Sequence, residues 1–233
     1  MTDADVLFDS RSFAAFLFDM DGTLLSSIEA AERVWGRWAA QFGLDAATFL
    51  PGIHGRRTIE SVRDLNIPGM DVEAEVAAIE RAEIEDVEGI REIPGALAFL
   101  ASLPKDRWAI VTSASKALAA RRLGAIGLQP PTVFITAEDI PKGKPDPACY
   151  QLAASRLGFK AEDCVVFEDA VAGIQAGENA RAAVVVITAT HQHKLDTPHP
   201  TVKDYSNLRT VAAPAGKLKI GVANQSSMST FRR

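Results

Sequence analysis

The chain has 233 residues, 47% hydrophobic and 24% charged, with 25 basic against 30 acidic side chains and a net charge of −5. Such a composition builds a soluble core, long enough for one large domain or one domain with an insert, and its acidic balance excludes the basic excess of a typical nucleic-acid binder. Two cysteines, Cys149 and Cys164, are too few for a disulfide framework and read as reduced thiols of a cytoplasmic protein; the acidic start MTDADVLFDS lacks the basic-then-apolar order of a signal peptide, and no apolar run reaches the about 18 residues that span a bilayer.

The first expected strand is AAFLFD at 14–19. Its apolar residues run on without alternation, as where helices cover both faces of a parallel sheet. The run stops at Asp19, and Asp21 follows in a turn loosened by Gly22. A polar turn closing a strand accounts for D-x-D-G on its own. A calcium loop of the EF-hand type does not: counted from Asp19, position six is Leu24 and position twelve is Ala30, where that loop needs glycine and glutamate.

Residues 20–107 separate this run from the next, far more than an ordinary crossover, and their content is helical. SSIEAAERVWGRWAAQFG opens with Ser26 and Glu29 at capping-box spacing and carries Ile28, Ala31, Val34, Trp38 and Phe42 at helical intervals. Trp35 and Trp38 read as core of this segment. In PGIHGRRTIESV, a glycine-loosened loop with His54, Gly55, Arg56, Arg57 and Thr58 precedes a helix over 58–65. By itself that loop is either a solvated basic turn or a substrate-touching one. A third helix, over 71–87, follows the Pro68 and Gly69 turn, and its EAEVAAIERAEIEDVE reads as a solvated charged face. About 24–92 is therefore expected to be an inserted all-helical domain, with 1–23 and 93–233 forming an α/β core. The core resumes with a helix over 91–103, Ile93, Leu97, Leu100 and Leu103 on one face and Pro94 near its start.

Four more apolar runs read as strands: WAIVT at 108–112, TVFIT at 132–136, CVVFE at 164–168 and VVVIT at 184–188, with helices over 115–123 and 147–157 between them. Alternating strands and helices point to an open α/β sheet, where ligands bind at the carboxyl ends of the strands. Those ends are polar here. Thr112, Ser113, Ala114 and Ser115 lead into a helix N-terminus, whose free N–H groups suit a phosphate. Lys144 stands in AEDIPKGKPDP before a proline-started helix, and Glu168 and Asp169 follow CVVF. Each feature alone has a bland account as a cap, a surface lysine or a surface acid pair. Together they point to phosphoryl transfer. A phosphate dianion repels a carboxylate nucleophile, and a divalent cation such as Mg²⁺ relieves that repulsion. The expected acidic set is Asp19, Asp21, Glu168 and Asp169, with a backbone carbonyl near Asp21 among the hard oxygen ligands. Lys144 would add a fixed positive charge, and Thr112, Ser113 and Ala114 would line the phosphoryl oxygens.

Other segments carry less chemistry. Ala172, Gly173, Ala176 and Gly177 read as small residues letting a helix approach the sheet, and HQH at 191–193 as a polar loop. LRTVAAPAGKLKIGV suggests a terminal hairpin around Pro214–Gly216, and the last ten residues are expected to fray.

Taken together, FDMDGT, VTS, KGKPDP and FEDAVAG resemble the haloacid dehalogenase-like hydrolase superfamily, on the branch with a helical cap after the first strand; the resemblance covers about 14–190. It implies a Rossmann-like parallel sheet of order 5-4-1-2-3, Mg²⁺ as cofactor, and a covalent mechanism. In that mechanism Asp19 attacks phosphorus, and Asp21 protonates the leaving oxygen and then activates water. Asp21 also argues against the dehalogenases proper, which lack the second aspartate. SIEAAERVWGRWAAQFGLD followed by HGRRTIESV is similar to the caps of yeast-type glycerol-phosphate and 2-deoxyglucose-6-phosphate phosphatases. Their H-G-x-R-T pattern falls here on His54, Gly55, Arg57 and Thr58, and the resemblance assigns this loop to substrate choice. The expectation is a cytoplasmic, monomeric phosphatase for a small sugar or polyol phosphate, with no nucleic-acid or membrane partner. Two alternatives stand beside it. A phosphosugar mutase similar to β-phosphoglucomutase would carry a histidine near Ala31. A non-catalytic binding module would have lost one of Asp19, Asp21, Lys144 or Asp169.

Overall fold

The computed structural model describes residues 7–8 and 11–223; the last ten residues, expected to fray, lie outside them. In chain order the first elements are strand β1 (Ala15–Phe18), β2 (Leu25–Ser26), helices α1 (Ile28–Gln41), α2 (Ala46–Phe49), α3 (Thr58–Asp64) and α4 (Val72–Glu85), then β3 (Arg91–Glu92) and α5 (Ala96–Ala101). Next come β4 (Trp108–Val111), α6 (Lys116–Ala125), β5 (Phe134–Ile135), α7 (Ala148–Arg156), β6 (Cys164–Glu168), α8 (Val171–Asn179) and β7 (Ala183–Ile187). The remainder is β8 (Thr201–Val202), β9 (Leu208–Ala212) and β10 (Leu218–Val222). Among the described residues no helix is long and apolar enough to cross a membrane.

Six parallel strands form one sheet in the order β5-β4-β1-β6-β7-β8. Counted by chain position, the five strands legible in sequence run 5-4-1-2-3 across it, and β8 adds an edge strand that the sequence reading did not contain. β1 is central and has no exposed residue. Successive side chains in a strand point to opposite faces. Accordingly Phe16 and Phe18 join Phe99, Ile110, Phe167 and Val185 in one core, while Leu17 joins Val111, Tyr150, Val166 and Val184 in another. Phe18 stacks on Phe167 with ring centroids 4.6 Å apart. Burying each such side chain contributes about 1.5–3 kcal/mol, which holds the end of β1 in one place.

Helices α1 to α4 bury a core of their own, including Ala31, Val34, Trp35, Trp38, Ile53, Val62 and Ile79. At its root β2 and β3 pair antiparallel, Leu25 with Glu92 and Ser26 with Arg91. Three expectations need correction here. The helix read over 91–103 covers only Ala96–Ala101: Arg91 and Glu92 are drawn into the ribbon, and Gly95 takes a left-handed φ of 81° just before the first turn. The capping box of Ser26 and Glu29 does not form. Ser27 stands at the N-cap without a capping hydrogen bond, because its hydroxyl donates to Asp21, and Glu29 pairs with Arg91. The α4 face is not simply solvated, since Glu83 is buried. The terminal hairpin is present, β9 pairing antiparallel with β10.

Candidate active site

The chain leaves β1 at Asp19, which is buried, and turns through Asp21 and Gly22. Gly22 has a φ of 82°, and a Cβ there would lie 1.9 Å from an Asp169 carboxylate oxygen. Only glycine meets both demands, the left-handed backbone and the close approach. Four strand ends then converge. Lys144 Nζ, from the loop after β5, lies 2.5 Å from Asp19 Oδ1 and 2.6 Å from Glu168 Oε1. Glu168 ends β6 with both oxygens engaged: Oε1 also accepts from Tyr150 Oη at 2.9 Å, and Oε2 accepts the backbone N–H groups of Asp169 and Ala170. Gly173, read from sequence as a packing residue, has a sharper reason. A Cβ there would lie 1.6 Å from Glu168 Oε1.

At the end of β4, Thr112 is buried and accepts a bond from Ala114 N at 3.1 Å. Ser113 Oγ donates to Gly55 O at 3.0 Å, tying the helical insert to the sheet. Ser115 caps α6. Thr112, Ser113 and Ala114 share with Asp19 and Asp21 the wall of a cavity of about 70 Å³. A wider cleft of about 620 Å³ adjoins it, bounded by both Asp21 and Asp169. The HQH segment borders that cleft, and His191 Nε2 lies 2.9 Å from Asp169 O.

Asp19, Glu168 and Asp169 each offer a carboxylate oxygen within 4.8 Å of the others. Burial, then the Glu168 charge, push Asp19 up to about 7 against the lowering effect of Lys144. Burial followed by the charges of Glu168 and Asp19 holds Asp169 well above the usual carboxylate range. Burial works against the Lys144 charge, but Asp19 and Glu168 outweigh it and keep the ammonium protonated. Carboxylates that resist ionising beside one another, with one lysine to offset them, are hard oxygen donors whose charged forms a divalent cation would stabilise. Because all Glu168 oxygens already accept hydrogen bonds, the open donors are Asp19 and Asp169.

The loop residues divide. His54, Gly55, Arg56 and Thr58 line the smaller cavity, and Arg57 does not. Arg57 Nη1 instead donates to Pro141 O at 3.3 Å, and Glu60 accepts from Gly143 N at 3.0 Å. Both residues hold the loop that carries Lys144. Asp21 also differs from expectation, its carboxylate facing Arg122 Nη1 at 2.9 Å and Ser27 Oγ at 2.5 Å rather than the acidic cluster. Arg122 and its second partner Glu83 were missed in the sequence. Their signal was a charge at helical spacing on a buried face, Arg122 beside Leu118 and Ala119, and Glu83 one turn after Ile79.

Comparison with known proteins identifies the family. The family model for haloacid dehalogenase-like hydrolases matches residues 13–181. Hexitol phosphatase A of Escherichia coli (strain K12) is 43% identical over 187 residues, covering 78% of this chain and 85% of the relative. In Saccharomyces cerevisiae, 2-deoxyglucose-6-phosphate phosphatase 1 is 36% identical, covering 75% and 80%. Glycerol-1-phosphate phosphohydrolase 2 of the same yeast is 35% identical, covering 76% and 75%.

Proposed function

The chain belongs to the haloacid dehalogenase-like hydrolases, and from that membership we propose that it is a Mg²⁺-dependent phosphatase of small sugar or polyol phosphate monoesters. The observation that carries the reading is the buried bridge of Lys144 between Asp19 and Glu168, with Asp169 and the Thr112 hydroxyl at the same strand ends. The relatives named for hexitol, deoxyglucose and glycerol phosphates support the substrate class.

In this reading Asp19 Oδ attacks phosphorus, the bond to the leaving oxygen breaks, and Asp21 gives that oxygen a proton. Water then attacks the aspartyl phosphate, its proton passes to Asp21, and the bond to Asp19 breaks to release phosphate. Lys144 orients Asp19 and favours its ionised form against burial, and Glu168, fixed by Tyr150 and two backbone N–H groups, keeps Lys144 in place. Thr112, Ser113 and Ala114 sit where phosphoryl oxygens are received. Asp19, Asp169 and the Asp21 carbonyl would hold Mg²⁺, which when bound neutralises the carboxylates and polarises the phosphoryl group. Residues 24–92 act as a cap over the core formed by 1–23 and 93–233. Arg57 and Glu60 clamp the cap to the Lys144 loop, while His54, Gly55, Arg56 and Thr58 face the substrate. Ala31 gives the cavity a methyl group and no proton donor, which favours hydrolysis over the mutase alternative.

Phosphate release with Mg²⁺ from a panel of sugar and polyol phosphates tests the reading. Release from polyol phosphates supports it. Interconversion of a hexose 1-phosphate and 6-phosphate without release overturns it in favour of the mutase, and no turnover of any monoester overturns it in favour of a binding module.

A further inference from the structure

Beside the acid/base Asp21 lies an ion pair that phosphoryl transfer does not require. Glu83, from α4 of the insert, and Arg122, from α6 of the core, are 4% and 6% exposed and both line the smaller cavity. Arg122 Nη1 reaches Asp21 and Nη2 reaches Glu83 Oε1 at 2.8 Å. Trp35 Nε1 donates to the same Glu83 oxygen at 3.3 Å. A buried ion pair adds little net stability over apolar residues of similar volume, so its presence here calls for another reason.

Two polar atoms of the pair have no partner among the described residues. Glu83 Oε2 accepts no hydrogen bond, both bonds to that carboxylate falling on Oε1. Arg122 Nε is buried and donates to nothing, whereas about nine in ten buried polar atoms are satisfied. Glu83 Oε2 is thus the open acceptor on the cavity lining, ready for a substrate hydroxyl, while the fully buried Arg122 Nε lies out of a ligand's reach and Arg122 serves to hold Glu83 in place. Ala31, Trp35, Ile53 and Leu118 add apolar surface to the polar side chains of the same cavity, a mixture suited to the hydroxyls and C–H faces of a polyol. One guanidinium spans Asp21 and Glu83, so a hydroxyl held by Glu83 belongs to a carbon close to the ester oxygen that Asp21 protonates. A carboxylate brought to this wall would meet Glu83 Oε2, an acceptor that offers it no proton, and is disfavoured there.

We propose that Glu83 and Arg122 are the specificity pair of the enzyme, selecting uncharged polyhydroxylated leaving groups and rejecting both hydroxyl-free and carboxylate-bearing ones. This rests on the phosphatase reading above. The selection is built by a cap residue and a core residue together, so it exists only when the cap sits on the core.

The test compares kcat/KM for three phosphates of one chain length: glucitol 6-phosphate, gluconate 6-phosphate and hexyl phosphate. One hydrogen bond to a charged group corresponds to about 10- to 100-fold, so the wild type should favour the glucitol ester over each of the others by at least about tenfold. Glu83→Gln should collapse the glucitol-to-hexyl ratio by about tenfold or more, and should raise the gluconate-to-glucitol ratio by a similar factor. Structural damage lowers all three rates together and moves neither ratio. Equal kcat/KM values in the wild type, or ratios unchanged in Glu83→Gln, overturn the proposal while leaving the phosphatase reading intact. Arg122→Lys serves if Glu83→Gln fails to fold, and an unchanged glucitol-to-hexyl ratio there overturns it equally. Absence of phosphate release from every ester overturns both readings.

Discussion

Replacing Gly173 by alanine sets two effects of opposite sign against each other. In a helix interior, alanine is favoured over glycine by about 0.5–1 kcal/mol. At this position the new Cβ would stand 1.6 Å from Glu168 Oε1 and 2.0 Å from its carboxyl carbon. The carboxylate is 1% exposed, so it cannot swing into water. Forcing atoms into a filled core costs about 1–3 kcal/mol, and stretching a hydrogen bond to an ionised group costs about 1.5–3 kcal/mol more. The clash wins, with a net destabilisation of about 1.5–5.5 kcal/mol. At about 2–4 °C per kcal/mol for a chain of this size, Tm should fall by several degrees. Activity should fall further than stability, because Glu168 holds Lys144 at 2.6 Å and Lys144 holds Asp19; a misplacement of about 1 Å can cost 10²-fold. Gly36→Ala in α1 is the matched control, with nothing within 4 Å of its Cβ, and it should raise Tm slightly at unchanged kcat. Calorimetry and steady-state kinetics on both variants decide. A Gly173→Ala protein as stable and active as Gly36→Ala would refute the assigned support of Glu168.

Three further outcomes are expected. Arg57→Ala should lower kcat for all phosphates alike, p-nitrophenyl phosphate included, since Arg57 touches the Lys144 loop and not the cavity; a selective rise in KM for polyol phosphates would return it to substrate recognition. In chelator, the folded pKa of Asp19 stands above its ordinary value, at about 7, so the folded state binds the extra proton and this group's contribution falls as pH rises from about 4 to 7. Wild type should therefore lose stability relative to Asp19→Asn across that window in paired thermal melts, and a gap that widens toward low pH would contradict the assignment. Mg²⁺ at 100 times its Kd should stabilise the wild type by about 2.7 kcal/mol and stabilise Asp169→Asn far less; equal shifts would place the ion elsewhere.

Much of this was legible in the chain because parallel strands covered on both faces leave continuous apolar runs, and Phe16, Leu17 and Phe18 mark where β1 ends at Asp19. β2, β3 and β8 have two residues each and sit in no apolar run like the TVFIT around the equally short β5, so they leave no pattern. The helix read from Arg91 was overextended because Ile93 and Leu97 satisfy helical spacing, while Gly95 breaks it through a backbone turn that periodicity does not register. Ser27 illustrates a different limit. A local rule assigned Ser26 and Glu29 to a cap, but the residue at the N-cap is Ser27, and a carboxylate distant in role, Asp21, claims its hydroxyl. In the HGRRT loop the residue types were informative and their directions were not: Arg56 and Arg57 are adjacent, and the turn sends one to the cavity and the other to Pro141. Glu83 and Arg122 are separated by 39 positions and meet only because α4 lies on α6, so nothing local in either helix announces the other.

Trapping the covalent intermediate tests the central claim most directly. Asp21→Asn removes the group that activates water, and p-nitrophenyl phosphate supplies a leaving group that needs no proton from it. Rapid acid quench followed by peptide mass spectrometry should find one phosphoryl group on Asp19, together with a burst of nitrophenol equal to the enzyme present. A burst with the phosphoryl group on another residue, or steady release of phosphate with no phosphorylated peptide, would contradict it.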